Sequence, residues 1–345
     1  MKPTAFLLAA LLAAVSIPGI STAAEVSTGP VGFQSIPIKA GQFNLVGVNF
    51  LRPVLTAGAL ESASGNTLVD DGATFTTVLA GATGLWVEIT NGNGAGASSR
   101  VTSFTATSLT TEDDLSSFVV QGSSYSVRAA YSVAGLFGAA NDSAKGADVG
   151  STEVGLKSGN VNTADVIWIP VQGGFIKVYY ATAAPPFTTA GWKTTSTGNA
   201  DASATPIFHS EGIFIERRGT TDLKLGCLGD VKKIQAKIGV SQGFNYVNRI
   251  FPVGATLGNS GLASTLRPGN ASTADIVWLP NTTGGYDKYY YASAAPPFTT
   301  EGWKGTSTGN VDKSGTTLTS GFIIERRGTE LNVTISPDPA IYGGL

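Results

Sequence analysis

One segment of the sequence occurs twice, and this repeat constrains the fold more than any other feature. AAPPFTTAGWK, at Ala183–Lys193, returns as AAPPFTTEGWK at Ala294–Lys304. The similarity extends over Thr163–Gly219 and Thr273–Gly328, where most aligned residues are identical. A spacing of about 110 residues is too long for a solenoid repeat and is typical of a tandem domain. The chain therefore contains two copies of one module.

The repeat continues upstream with weaker similarity. Gly122–Arg128 (GSSYSVR) aligns with Gly243–Arg249 (GFNYVNR), and Gly, Tyr and Arg coincide. Asn248 stands where the first copy has an aliphatic residue. The alignment predicts that the first module begins near Gly122. A third, fainter echo of the pattern lies at Gly41–Val54 (GQFNLVGVNFLRPV).

Strand signals dominate the sequence. Runs such as DVIWIP, GFIKVYYA and GIFIERR combine β-branched and aromatic residues and are bounded by Gly, Pro or Asn. Gln172–Gly174 and Thr283–Gly285 are turn signals, so each module is predicted to begin with a hairpin. Charged residues make up only 13% of the chain, which suits short strands joined by tight turns. The predicted fold is all-β, with tandem β-sandwich or small β-barrel modules joined by short linkers.

The N-terminus predicts export. Lys2 precedes the apolar run Ala5–Val15, which is too short to span a bilayer, and Thr22–Ala24 offers small residues for cleavage after Ala24. We expect the protein in the periplasm, at the cell surface or outside the cell, and no later segment reads as a transmembrane helix. The predicted organisation is a signal peptide (1–24), an N-terminal β-rich region (25–121), a first module (122–220), a linker (221–242) and a second module with a C-terminal strand (243–345).

Several kinds of chemistry find little support. A formal net charge of −2 gives no electrostatic footprint for nucleic acid. Cys227 is the only cysteine, and we expect it to be buried. His209, the only histidine, lies in the insertion TPIFHSEG, which the second copy lacks, and is expected in a solvent-exposed loop. The acidic turns Asp70–Gly72 and Glu112–Asp114 offer carboxylates to calcium but lack the ligand pattern of an EF-hand, and acidic surface turns are far commoner than calcium sites. We therefore predict no enzyme, no cofactor and no metal site.

The repeated carboxylates allow two interpretations. Glu216 and Glu325 are each followed by two arginines and could serve a glycosidase, which needs a carboxylate pair. Alternatively, acidic residues near the start of each module pair with those arginines, because charges among apolar strand residues need partners. The residues predicted to form these structural ion pairs are Asp165, Glu216, Arg217, Asp275, Glu325 and Arg326.

The aromatic residues of the repeat are the strongest candidates for binding, because flat rings can stack on the faces of sugars. The candidate ligand-binding residues are Tyr180, Trp192, Tyr291 and Trp303. The alternative is that each Trp plugs the core of its own module. Pro185–Pro186 is predicted to be a stiff connector that places Phe187 and Trp192 against the core. Ala190, replaced by Glu301 in the second copy, is expected to be exposed.

The set of motifs resembles a known family. Gly-x-x-Tyr-x-Val-Arg, Leu-Phe-Gly, Ala-Asp-x-Ile, Tyr-Tyr, Gly-Trp and Ile-Glu-Arg-Arg occur in the order seen in an uncharacterised family of exported, modular β-rich bacterial proteins. In that family the Glu-Arg-Arg motif closes each module. The resemblance covers Gly122–Gly219 and, more loosely, Gly243–Gly328. It implies export and modularity, and it implies no activity.

Two hypotheses for the function follow. The first is an exported, non-enzymatic structural or interaction protein that could assemble with itself through exposed strand edges, such as Glu330–Ser336. The second is a carbohydrate-binding or adhesin module that binds surface glycans through exposed Trp and Tyr side chains.

Overall fold

The computed structural model describes residues 29–197 and 199–345. The predicted signal peptide lies outside the described residues. Up to Leu51 the strands are β1 (Val31–Ile38) and β2 (Phe43–Gly47). From 52 to 130 they are β3 (Val54–Leu60), β4 (Ser62–Ser64), β5 (Thr67–Val69), β6 (Leu85–Ile89), β7 (Ser98–Phe104), β8 (Ser108–Thr111) and β9 (Ser123–Ala129). From 131 to 230 they are β10 (Tyr131–Ser132), β11 (Ala144–Gly146), β12 (Val166–Val171), β13 (Gly174–Ala181), β14 (Gly191–Thr194), β15 (Pro206–Ile207), β16 (Gly212–Glu216) and β17 (Leu223–Asp230).

The last part of the chain completes the secondary structure. Its strands are β18 (Ala236–Val240), β19 (Gly243–Asn248), β20 (Ile276–Pro280), β21 (Tyr286–Ala292), β22 (Gly302–Gly305), β23 (Gly321–Arg326) and β24 (Leu331–Ile335). The helices are α1 (Phe75–Val78), α2 (Val133–Phe137) and α3 (Pro339–Tyr342), with 3₁₀ turns at Gly92–Gly94, Ser116–Phe118 and Leu262–Ser264. No helix among the described residues has the length and apolar character needed to cross a membrane.

Each repeated module has a large and a small sheet, and the all-β prediction is confirmed. In the first module the large sheet has the order β14-β13-β12-β16-β2 and the small sheet the order β1-β17-β11. In the second module the corresponding orders are β22-β21-β20-β23-β19 and β18-β24. The predicted hairpins are β12–β13 and β20–β21. The sheets formed by the described residues are open, as in a sandwich.

Alternating burial places the core between the two sheets of a module. On β17, Leu223, Leu225 and Cys227 are buried, whereas the residues between them point outward. These side chains join the core of the first module together with residues from its large sheet, such as Ile167 and Ile215. The buried position of Cys227 agrees with its expected role as a small apolar residue.

The first module is interrupted by an inserted domain, which corrects the predicted boundaries. Its core contains residues 36–50 as well as residues 133–227, so it does not begin at Gly122. The strand equivalent to β19 is β2, from the fainter echo at Gly41–Val54, and Asn44 and Asn245 make matching side-chain bonds there. GSSYSVR instead forms β9, within the separate sheet of β3 to β9. We call residues 52–130 the inserted domain. The sequences of β9 and β19 share a Tyr-containing pattern although the two strands occupy different places in the fold. Local similarity alone therefore could not show that β2, and not β9, is the equivalent of β19.

The segment predicted as a linker, residues 221–242, contains two strands. β17 is the middle strand of the small sheet of the first module, and β18 belongs to the small sheet of the second. The two modules therefore follow each other with only a few residues between them. The expectation of a longer linker is wrong because the last strand of each module lies beyond the Glu-Arg-Arg motif, outside the region where the copies are similar.

The modules pack against each other with approximate two-fold symmetry. Gly212 lies against Val247 of the second module, and its counterpart Gly321 lies against Val46 of the first. A Cβ atom at Gly321 would lie 2.9 Å from the backbone of Val46, so this contact requires glycine, whereas a Cβ atom at Gly212 would lie 3.0 Å from the Val247 carbonyl oxygen. Asn248 joins the two units, because its side-chain amide donates to the carbonyls of Val48 and His209, both at 2.6 Å.

Candidate functional site: the paired aromatic turns

The repeated aspartates are structural groups of the two cores. Asp165 is 1% exposed, and its carboxylate accepts hydrogen bonds from the Arg217 guanidinium and from the backbone N–H groups of Lys157 and Arg218. In the second module Asp275 accepts equivalent bonds from Arg326, Arg267 and Arg327. Each ion pair thus joins the start of one strand to the end of another, as the structural interpretation of the sequence requires.

Each of the repeated glutamates is bound by partners within its own module. One carboxylate oxygen of Glu216 accepts the indole N–H of Trp168 at 3.2 Å, and the other accepts Arg218 Nε at 2.8 Å. Glu325 makes the same two contacts with Trp278 and Arg327 in the second module. Each glutamate is held in its own module, whereas hydrolysis of a glycoside needs two carboxylates on either side of one bond.

The four aromatic residues predicted to bind a ligand belong to the module interiors. Trp192 and Trp303 are 1% and 2% exposed, so neither indole can stack on a sugar. Tyr180 and Tyr291 are partly buried and pack edge-on against these indoles. This arrangement fits the interpretation of each Trp as a core residue. The carbohydrate hypothesis required exposed indoles at Trp192 and Trp303, and both are buried.

The exposed aromatic residues of the repeat are two phenylalanines that we expected in the core. Phe187 and Phe298 are 83% and 82% exposed. Each follows a Pro-Pro pair in a tight turn that extends from the end of a hairpin, β13–β14 or β21–β22. The prediction for Phe187 is wrong because the turn reverses direction beyond the last sheet hydrogen bond, where it has no opposing sheet to pack on. We call Ala183–Thr189 and Ala294–Thr300 the aromatic turns.

Both aromatic turns are closed by the same hydrogen bonds. In the first, the Ala184 N–H donates to the Thr188 carbonyl at 2.9 Å, and the Phe187 N–H donates back to the Ala184 carbonyl at 3.0 Å. In the second, Ala295, Thr299 and Phe298 take these roles. The backbone at each Phe is therefore fixed although its ring is in solvent.

A buried lysine and an asparagine hold the base of each turn. Asn199 Oδ1 accepts both the N–H and the hydroxyl of Thr189, and Lys193 Nζ donates to the same hydroxyl at 3.1 Å. Lys193 is only 5% exposed, and it also donates a hydrogen bond to the Asn199 carbonyl. We call the hydrogen bonds among Thr189, Lys193 and Asn199 the clasp. Asn310, Thr300 and Lys304 repeat this clasp in the second module. The residues that bind the base of each aromatic turn thus lie in the segments TSTGN and GWK, which are identical in the two copies.

The only histidine serves the contact between the inserted domain and the first module. His209 stacks on Trp86 of the inserted domain with a ring separation of 3.8 Å and is 6% exposed, so the expectation of a solvent-exposed loop is wrong. Trp86 lies between Arg100 and Arg128 on neighbouring strands. Arg100 covers the Phe208 ring and forms an ion pair with Glu211. The second copy lacks both the inserted domain and this histidine segment, as expected if the segment serves the contact with that domain.

Burial controls the titration of this contact. Desolvation, aided by the positive charge of Arg128, lowers the pKa of His209 to about 3, so the imidazole is neutral. Desolvation raises the pKa of Glu211 to about 7 despite the guanidinium of Arg100 beside it. A cleft of about 560 Å³ opens next to these residues. Because Glu211 is occupied by Arg100, we interpret the arrangement as a docking contact between domains.

The acidic turns considered for calcium have protein partners. Asp70 accepts the Tyr125 hydroxyl at 2.6 Å and the Gly72 N–H at 2.9 Å. Asp113 accepts the Ser99 hydroxyl. In the described part of the chain, no three His, Cys, Asp or Glu side chains come together in a group that could hold a metal ion.

The chain was compared with known proteins in three ways. No protein-family model matches it, and no curated protein or solved structure is significantly similar to it. The aromatic turns, the docking contact and the module cores are therefore interpreted from their own chemistry.

Proposed function

We propose that the protein is an exported, non-enzymatic interaction protein that holds a macromolecular partner through its two aromatic turns. The observation that carries this proposal is the pair of identical, rigidly mounted turns whose phenylalanine rings are more than four-fifths exposed. A phenyl ring with this exposure contributes little to the core of its module, and its burial by a partner is favourable by about 2 kcal/mol.

The divergence of other exposed segments strengthens this interpretation. The hairpin turns Val171–Gly174 and Asn281–Gly285 differ in sequence and length, although they occupy equivalent places. The seven residues of the aromatic turns are identical, yet among the described residues only Thr189 and Thr300 form side-chain hydrogen bonds to the rest of the module. Identity at solvent-exposed positions supports a role in binding, since the fold does not require it there.

Two equal contact points favour binding to a partner that offers repeated sites. A second contact on the same partner is intramolecular once the first has formed, so the combined affinity exceeds that of either turn. The clasp also keeps each turn in its bound shape, which reduces the entropy cost of association. Neither turn contains a lysine or arginine, so the turns themselves offer no cation to an anionic lipid surface.

The proposal is tested by the retention of the purified mature chain on envelopes of the source organism. Phe187→Ser and Phe298→Ser should each weaken retention, and the double variant should lose more than the two single effects combined. Val149→Ser is the matched control, because Val149 is an exposed apolar residue outside both turns. Unchanged retention of the double variant would contradict the proposal.

A further inference from the structure

Strand β1 has an exposed, uncharged edge. In the described part of the chain, the order β1-β17-β11 gives β1 one neighbour. Val31 and Phe33 are 62% and 71% exposed, and Leu228, opposite Phe33 on β17, is 63% exposed. No charged residue occurs from Gly29 to Ile38. Natural edge strands usually carry charges that prevent pairing with another chain, and this strand lacks them.

The register shows which backbone groups of β1 face the open edge. Asp230 exchanges both backbone hydrogen bonds with Leu51, at 2.9 and 2.8 Å, so it cannot bond to Val31, its other neighbour. In an antiparallel pair, bonded and non-bonded residues alternate. Every second residue from Val31 to Ser35 therefore directs its N–H and C=O away from β17. Pro37 occupies the next such position and has no N–H to offer.

The equivalent edge of the second module is already covered by another segment. Counted from the buried residues Ile38 and Val240 that end β1 and β18, Ser35 corresponds to Lys237. The Lys237 N–H donates at 2.8 Å to the carbonyl of Gly96, which belongs to the inserted domain. This edge of the module thus accepts an added backbone segment in one copy, whereas no described residue covers it in the other.

We propose that β1 pairs antiparallel with β1 of a second copy of this chain, centred on Phe33, and so forms a two-fold symmetric dimer. An antiparallel strand pair is self-complementary under a two-fold axis. With Phe33 opposite its counterpart, Val31 faces Ser35 of the second copy, and three residues of each strand exchange hydrogen bonds. The two Leu228 side chains extend the central pair into one apolar row across four strands. The proposal does not depend on the aromatic turns.

The oligomeric state of the mature chain tests this pairing. Sedimentation velocity over a concentration series should show a monomer–dimer equilibrium. Phe33→Lys should raise the dimer dissociation constant about tenfold or more, because it places two like charges at the centre of the pair. Ser35→Pro removes an outward N–H without disturbing β17, so it should also weaken the dimer, while the melting temperature measured at concentrations where both proteins are monomeric stays unchanged. Phe187→Ser is the control and should dimerise normally.

Disulfide formation between cysteine variants tests the register of the strand pair. Phe33→Cys should form an intermolecular disulfide under mild oxidation, because paired residues across the axis are about 5.5 Å apart at Cα. Ser35→Cys should not, since its symmetry mate is displaced by four residues. The wild type as a monomer at every concentration would overturn the proposal, as would a dimer insensitive to both Phe33→Lys and Ser35→Pro. Dimerisation only after removal of residues 25–28 would show instead that these residues cover the edge.

Discussion

At the scale of single residues, equivalent positions in the two modules have different surroundings. Trp192 donates its indole N–H to the Gly138 carbonyl at 2.9 Å. The indole N–H of Trp303 is buried and has no hydrogen-bond partner among the described residues. Gly138 follows α2, and the second module has no corresponding helix in its described residues. The two indoles occupy equivalent positions in the module cores, but only the indole N–H of Trp192 has a hydrogen-bond partner among the described residues.

This difference predicts unequal effects of the same substitution. Trp192→Phe removes a hydrogen bond, whereas Trp303→Phe removes an unpaired buried donor. The first should therefore lower the free energy of unfolding by about 2 kcal/mol more than the second. Urea denaturation of the two variants provides the comparison, with each serving as the control for the other. Equal losses would contradict the unequal hydrogen bonding of the two indoles.

His209 predicts a specific dependence of stability on pH. Its pKa is about 3 in the folded protein and 6.5 when unperturbed, so the unfolded chain binds the proton first. The contribution of His209 is complete above pH 6.5 and is lost as the pH falls, by about 2 kcal/mol at pH 5.

The difference between wild type and His209→Gln isolates this effect from Glu211, whose raised pKa has the opposite influence. The stability difference between the two proteins should change by about 2 kcal/mol between pH 7 and pH 5 in chemical denaturation. A difference that stays constant across this range would show that His209 titrates normally and is not held in the docking contact.

At the scale of elements, the aromatic turn depends on its clasp. Asn199→Ala removes the acceptor of the Thr189 N–H and hydroxyl without touching the core. We expect hydrogen exchange at Thr189 to accelerate about tenfold, with stability unchanged within about 0.5 kcal/mol. Asn310→Ala should act in the same way on Thr300 alone. Acceleration of both turns by either variant would contradict two independent clasps.

The same elements show what the sequence can and cannot predict. Runs of β-branched residues identify β12, β13 and β16, and repeated charges identify the pairing of Asp165 with Arg217. Periodicity does not distinguish Phe187 at the tip of a turn from a residue in the core. It also cannot place β2 beside β16, because the inserted domain separates β2 from the rest of its module.

At the scale of the whole molecule, the protein is one duplicated sandwich with a single elaboration. The inserted domain contacts the first module through the stacked Trp86 and His209 and reaches the second through Gly96 and Lys237. Together with the Asn248 bonds between the modules, these contacts connect all three units. Such a scaffold holds each aromatic turn on a rigid hairpin at the outer edge of its large sheet.

Site-specific photo-crosslinking on the envelope of the source organism tests most directly whether the aromatic turns bind a partner. A photoreactive phenylalanine analogue is placed at 187 or 298, and at the control positions 190 and 301, which are also exposed but lie just outside the turns. We expect cross-linked products of the same partner from 187 and 298 and none from 190 and 301. Products of equal yield from all four positions, or none from 187 and 298, would contradict it.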